Sequence, residues 1–521
     1  MIKKRQKTSK FQCSIIRISK VLATFFLIPF LAKAQYSAYD VESVLKKAGS
    51  NRQELEKALE YSKNTGDPLK AKAMQFLIAN MDIHFSSDFY WEDAQGRKIA
   101  YNELDYPDYA QAQKALDIIK QQNPGCRTKA IIYKDIETIK GDYLIRNLEN
   151  AFKAWNSSAI KKASFDDFCE YILPYRVSVE PVQDWRTDYS EKFGWINDQI
   201  TKQDFKSTLY YVKDDYDIWF TNTWGEQRKE PLPRLGGLQL LFRKAGPCTD
   251  IADLSVLTMR SQGIPASVNV IPFWATSTGG HFMNTIFDNT MKAYNCDFGS
   301  KNFGENLQRE PAKVLRLTYS KRSETLASFE DVNNIPEGIL QQQNYIDVTN
   351  EYWETSNVNC PLYSSATDHK IVYATTFNGL KWRPFWWGKV ENGQTTFSSI
   401  CKNTVLIPHY YSNGKLIPAG APVLVRDKGS RVLVPDLENN RDVIIKEADR
   451  YLKFKIGVTY KLFYWNNGWK LVDAREVKLP TASMLFTKVP KNSLLLFLAG
   501  DSKKKLERPF TVDDNGERTW Y

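Results

Sequence analysis

The chain is poor in the residues on which stapled and metal-built proteins rely. Its 521 residues include only seven cysteines and four histidines. His84, His281, His369 and His409 are scattered, and no CxxC, HExxH or comparable ligand spacing occurs, so the common zinc frameworks are excluded. No acidic ligand loop implies calcium. We expect neither a metal nor a cofactor. Beyond Cys13 the cysteines are Cys126, Cys169, Cys248, Cys296, Cys360 and Cys401, too few to staple a chain of this length. Long apolar runs are also missing. Val21 to Leu31 is about a dozen residues, short of the roughly 20 that span a bilayer, and no later segment resembles a transmembrane helix. There is no internal repeat and no low-complexity tract.

One local absence explains the net charge. The first 34 residues hold Lys3, Lys4, Arg5, Lys7, Lys10, Arg17, Lys20 and Lys33 and no acid. Removing these eight from the 71 basic residues leaves 63 against 60 acidic ones, so the +11 of the whole chain falls to about +3. That disposes of the nucleic-acid reading which the basic balance invites. A basic start, a short apolar run and Ala32-Lys33-Ala34 form a cleavable signal peptide, with the mature chain starting near Gln35. We therefore expect an exported protein, periplasmic, surface-held or secreted, without a transmembrane segment.

What remains is the composition of packed globular domains, with 42% hydrophobic and 25% charged residues. At about 150 residues per domain the length predicts three or four units. Residues 35–163 carry a helical period: Asn51 with Glu54 reads as a capping box, and helices follow over about 69–81, 108–122 and 142–155. Residues 164–345 mix helix and strand. From 346 onward, alternating Val, Ile, Tyr, Phe and Trp are punctuated by Asn378-Gly379, Asn392-Gly393, Asn413-Gly414, Asn467-Gly468 and Asn515-Gly516, the dipeptide preferred in two-residue hairpins. The expected architecture is α+β multidomain. It comprises a signal peptide (1–34), a helical N-terminal domain (35–163), an α+β core (164–345) and two antiparallel, sandwich-like β domains (346–445 and 446–521).

The chemistry concentrates between Gly246 and Gly299. Cys248 precedes the apolar positions Ile251, Leu254 and Leu257 of a helix that ends at Gly263-Ile264-Pro265. A thiol at a helix start faces unpaired N–H groups and the positive end of the dipole, which favour the reactive thiolate. Ala266 to Ile271, His281 to Phe287 and Lys292 to Asp297 read as three strands, and antiparallel pairing of the last two brings His281 beside Asp297. A nucleophile, a base and a carboxylate orienting the base can thus converge. Cys296 points to the opposite face of its strand, toward the core.

These residues resemble the transglutaminase-like branch of the papain-like thiol enzymes. The matching positions are Gly246-x-Cys248-x-Asp250, Arg260-x-x-Gly263-Ile264-Pro265-Ala266, Gly280-His281 and Asp297, and they cover roughly residues 230–300. More loosely, the layout is similar to large secreted bacterial members of that superfamily, including Leu173-Pro174-Tyr175-Arg176, Glu180 and Trp185-Arg186. Thr249 stands where some members have Trp, and Phe282-Met283 where many continue as Trp-Val. The resemblance therefore assigns no substrate-facing wall.

The resemblance implies a transglutaminase-like core at 164–345, with Cys248 as nucleophile, His281 as general base and acid, and Asp297 as orienting carboxylate. It implies attack on an amide or peptide carbonyl of a peptide or protein. Hydrolysis is expected ahead of transamidation, which needs a cleft that admits an amine while excluding water, and nothing in the sequence shows such a cleft. The rival reading is a non-catalytic surface protein whose aromatic β domains bind glycan or peptide, for which Trp386-Trp387 is a candidate platform. Trp274 is a candidate cleft wall. Tyr175, Arg176, Glu180 and Trp185 either flank the cleft or form a structural ion pair, the second being the better default. Lys503-Lys504-Lys505 reads as a solvated turn, and nothing in the sequence sets the oligomeric state.

Overall fold

The computed structural model describes residues 38–160, 163–223, 232–301, 303–304, 306–363, 369–448, 452–500 and 506–521. The expected signal peptide and Lys503-Lys504-Lys505 lie outside them. Helix and strand occur in nearly equal shares, with several antiparallel sheets, an α+β architecture. Among the described residues no helix is long and apolar enough to cross a membrane.

The N-terminal unit packs α1 (Ala38–Lys47), α2 (Arg52–Asn64), α3 (Pro68–Ala79) and, beyond them, α6 (Gly141–Ser157) around one core. Helix α6 shows why: Leu144, Leu148, Ala151 and Trp155 repeat at three- and four-residue steps, so one face is apolar and buried. Helix α3 starts where Pro68 presets the first turn and the Asp67 carboxylate accepts from Leu69 N at 2.8 Å. The expected capping box at Asn51 does not form. Asn51 lies buried in a helical conformation and donates instead to the carbonyls of Ile136 and Ile139, while Glu54 accepts from Gly141 N at 2.9 Å. Both side chains tie α2 to a distant segment, and tertiary demand overrides the local cap.

This unit is not purely helical. Strands β1 (Phe85–Glu92) and β2 (Arg127–Lys134) pair antiparallel around α4 (Tyr109–Gln122), and β2 leads into the short α5 (Asp135–Thr138). Most of β2 faces solvent and its partner is some forty residues earlier, so neither a buried alternation nor a turn dipeptide marks the pair. Helix α7 (Phe165–Tyr171), capped by Ser164, buries Phe168 and Cys169 in the same core. The packing therefore carries the N-terminal unit past the expected limit at 163.

The middle unit opens with α8 (Arg186–Lys192), α9 (Trp195–Lys202) and α10 (Phe205–Trp219). Strand β3 (Thr221–Asn222), α11 (Gly237–Arg243) and β4 (Ala245–Gly246) then lead into α12 (Cys248–Ser261). Beside α12 lies an antiparallel sheet of order β7-β6-β5-β8-β9, made of β5 (Ala266–Ile271), β6 (His281–Phe287), β7 (Ala293–Cys296), β8 (Leu315–Leu317) and β9 (Tyr345–Asp347). The limit expected at 345 thus falls inside β9.

Two β units follow. The first joins β10 (Thr355–Pro361), β11 (Ile371–Asn378), β12 (Lys381–Lys389), β13 (Gln394–Cys401), β14 (Thr404–Ser412), β15 (Lys415–Pro418), β16 (Val423–Arg426) and β17 (Gly429–Val432). Its small sheet β10-β13 and its larger sheet share one apolar core containing Val358, Phe397, Val372 and Phe385. The second contains β18 (Asp436–Lys446), β19 (Thr459–Trp465), β20 (Trp469–Glu476), β21 (Ser483–Lys491), β22 (Leu495–Ala499), β23 (Pro509–Val512) and β24 (Arg518–Trp520). Strand β18 pairs with β21, so the junction expected at 445 lies instead between Val432 and Asp436.

The Asn-Gly pairs divide. Asn392-Gly393, Asn413-Gly414 and Asn467-Gly468 have both φ positive, and the first two close two-residue hairpins. At the first pair the turn slips one residue, to Gly379-Leu380, which leaves Asn378 as the last residue of β11.

The Tyr175–Arg186 cluster is structural. Arg176, 2% exposed, donates to both carboxylate oxygens of Asp135, and Tyr175 Oη donates to the same group at 2.9 Å. Glu180 accepts from Val177 N and Ser178 N, and Trp185 Nε1 donates to Tyr175 O. Removing one partner of such a pair strands a buried charge. We expect Asp135→Ala to cost about 3–5 kcal/mol in the urea transition of the N-terminal unit, and a loss below about 1 kcal/mol would contradict this packing account.

Candidate active site

Cys248 is the first residue of α12. Pro247 O accepts from Asp250 N and Ile251 N, so the Cys248 and Thr249 amides are the ones with no preceding turn to donate to. Every residue of α12 from Asp250 to Ser261 is buried, which fixes the helix and with it the thiol. Gly246 has a steric cause, because the Asp250 carboxylate fills the space a Cβ would take. Gly263, at φ +69°, ends the helix against Ala154 O, where a Cβ would also collide.

The hairpin sets the other two groups. Ile271 pairs with His281 across β5 and β6, and Asn284 pairs with Cys296 across β6 and β7. On one face of β6 and its partner this register places His281, Met283 and Thr285 with Asn295 and Asp297; on the other it places Phe282, Asn284 and Cys296. Asn284 Nδ2 donates to Ala252 O at 2.9 Å, tying the second face to α12. Burial pushes the Cys296 thiol far up, so it behaves as core.

His281 Nε2 and Asp297 Oδ2 are 2.6 Å apart, which leaves Nδ1 for the Cys248 thiol. Burial works against a proton on His281, but the hydrogen bonds with Asp297 and then Cys248, together with their charges, outweigh it and push the imidazole up to about 10. An imidazolium is therefore held beside the sulfur at neutral pH. A histidine without these partners titrates near 6.5, so their contribution to stability is complete below that pH and fades as pH rises through 10.

Cys248, His281 and Asp297 line one cavity of about 390 Å³. Trp274 is part of its wall and stacks on His281, with ring centroids 6.0 Å apart and planes 24° from parallel. Asn222 lines it as well, a residue that nothing in the sequence singled out. Tyr175, Arg176, Glu180 and Trp185 do not line it. Trp386 packs over the Lys313 ammonium at 4.2 Å and Trp387 meets Phe329 edge-on, so the pair is half-buried between units and presents no open platform. Among the described residues no three His, Cys, Asp or Glu side chains are grouped as metal ligands.

The sequence also gave no sign of three groups that support the site. Asn378, at the end of β11, clamps the 274–279 loop that leads into His281. Its Nδ2 donates to Trp274 O, Ser277 O and Gly279 O, and its Oδ1 accepts from Gly279 N at 3.0 Å. Arg508, from the last β unit, reaches the same loop at Ala275 O and Ser277 O and also holds Phe377 O. Behind α12, Arg234 pairs with Asp253 and donates to Ser178 Oγ at 2.7 Å, and it lies 3.8 Å from Asp250. Burial pushes both the Asp250 and Asp253 carboxyls up, against the pull of Arg234. Acids inside an otherwise apolar helix were the available signal for this network.

No protein-family model matches the chain, and no curated protein matches it. The reading of function therefore rests on the side chains themselves. We expect Asn378→Ala to raise the hydrogen-exchange rate of the Gly279 amide by at least about tenfold, because that amide loses its acceptor. Unchanged protection would remove Asn378 from the support of the site.

Proposed function

We propose that the chain is an exported thiol hydrolase, similar to transglutaminase-like enzymes, that cleaves amide or peptide bonds through an acyl-enzyme on Cys248. The observation that carries the reading is the hydrogen-bonded His281–Asp297 pair opening, with the helix-start thiol, into one cavity.

The sulfur attacks the carbonyl carbon, and the oxyanion accepts from the α12 start. The C–N bond breaks as the His281 proton passes to the leaving amine. His281, now neutral, takes a proton from water as the water attacks the thioester, and the thiolate departs and regains its imidazolium partner. Asp297 holds the ring in place throughout. Transamidation would use an amine in place of water in the second half.

Two tests follow from this sequence of steps. p-Nitrophenyl acetate should release a burst of about one equivalent of nitrophenolate and leave an acetyl group on Cys248, with no burst from Cys248→Ala. An acetyl group found only elsewhere would refute the acyl-enzyme. The sign of the pH dependence is also set. His281 keeps the proton it must donate until pH rises through about 10, so amide cleavage should fall above that pH. Asp297→Asn removes the main hydrogen-bond support and should move that descending limb down toward 6.5. A limb unmoved by Asp297→Asn would assign it to another group.

A further inference from the structure

A second cavity, of about 450 Å³, is lined by residues next in the chain to those of the thiol site. Its wall includes Thr249 and Phe282, the chain neighbours of Cys248 and His281. Phe282 lies on the α12 face of β6, whereas His281 lies on the other face, so successive residues of β6 line two spaces. One holds the triad and the other begins at the next residue along each element.

The lining decides what this space accepts. Val270, Phe282, Leu317 and Ile339 make it mainly apolar. Its charged member, Arg234, is held at the α12 side by Asp253 and Ser178 Oγ and lies 3.8 Å from Asp250. His84, at the rim, is pushed down to about 4 by burial and is neutral at physiological pH, with its Nε2 on Tyr319 O. A cavity with four large apolar walls gains most from removing an apolar side chain from water.

We propose that this cavity is the specificity pocket of the thiol site and takes a large apolar side chain, aromatic or branched aliphatic, adjacent to the bond under attack. The inference deepens the thiol-hydrolase reading and rests on it. The pocket combines β5, β6 and β8 with Ile83 and Phe85 of the N-terminal unit, so that unit contributes to substrate choice. It also gives Thr249 and Phe282, where the chain departs from its resembled family, a place in selection.

The test has two arms. In Cys248→Ala protein, N-acetylphenylalanine amide should bind at least about tenfold more tightly than N-acetylglycine amide, and Ile339→Trp, which fills the space, should abolish the difference. In the unsubstituted protein, N-benzyl iodoacetamide should alkylate Cys248 at least about tenfold faster than iodoacetamide, and the ratio of the two rates should fall to about one in Ile339→Trp. Ile339→Ala, a smaller change, should weaken the preference and serves where the Trp variant does not fold. Equal binding of the two amides, or a preference that survives Ile339→Trp, overturns the pocket. A Cys248 inert to both reagents refutes the thiol-enzyme reading instead, and the amide arm still decides what the cavity takes.

Discussion

Everything near the site depends on the complete burial of α12. A helix enclosed from Asp250 to Ser261 cannot leave its polar groups to water, so protein groups meet most of them. Arg260 donates to the carbonyls of Tyr171, Pro174, Arg176 and Ala266, Arg234 meets Asp253, and Asn284 meets Ala252 O. These bonds draw the segment around 171–178, the start of α11 and the sheet onto one axis. The end of that axis is Cys248. A thiol on a helix so held has little freedom to swing away from His281, which is the preorganisation that nucleophilic catalysis needs.

The β units act on the other half of the pair. His281 follows a loop with few internal bonds, and that loop is pinned from outside by Asn378 and Arg508. Lys313 adds a third link, fully buried between Asp347 and the carbonyls of Ser398 and Ser399. Domains that a sequence pattern presents as appendages thus bear on the orientation of the imidazole and its stacked Trp274. Residues of the middle unit and of both β units support one site.

The local parts of this arrangement were legible. Helix α12, its Gly263 exit, the three strands and the placing of His281 beside Asp297 follow from short-range periodicity and pairing, which neighbouring residues decide, whereas the joining of Cys248 to that pair came with the resemblance. The turn at Asn392-Gly393 is legible for the same reason. Asn51 was misread because its amide serves Ile136 and Ile139, more than eighty residues away. Asn378 was misread as a turn residue because the hairpin slipped by one and freed it for the Trp274 loop. The β1-β2 pair and the Asp436 strand likewise owe their existence to partners distant in sequence. Arg234 and Arg508 had no local pattern at all, since a buried arginine is defined by the carbonyls and acids that surround it.

The central proposal is that His281 activates the Cys248 thiol. The direct measurement is the rate of iodoacetamide labelling at Cys248, compared by mass spectrometry with the half-buried Cys126 at neutral pH, in the unsubstituted protein and in His281→Ala. The account predicts labelling of Cys248 at least about tenfold faster than Cys126, and collapse of that advantage without His281. Equal rates at the two cysteines, or a Cys248 rate indifferent to His281, would contradict it.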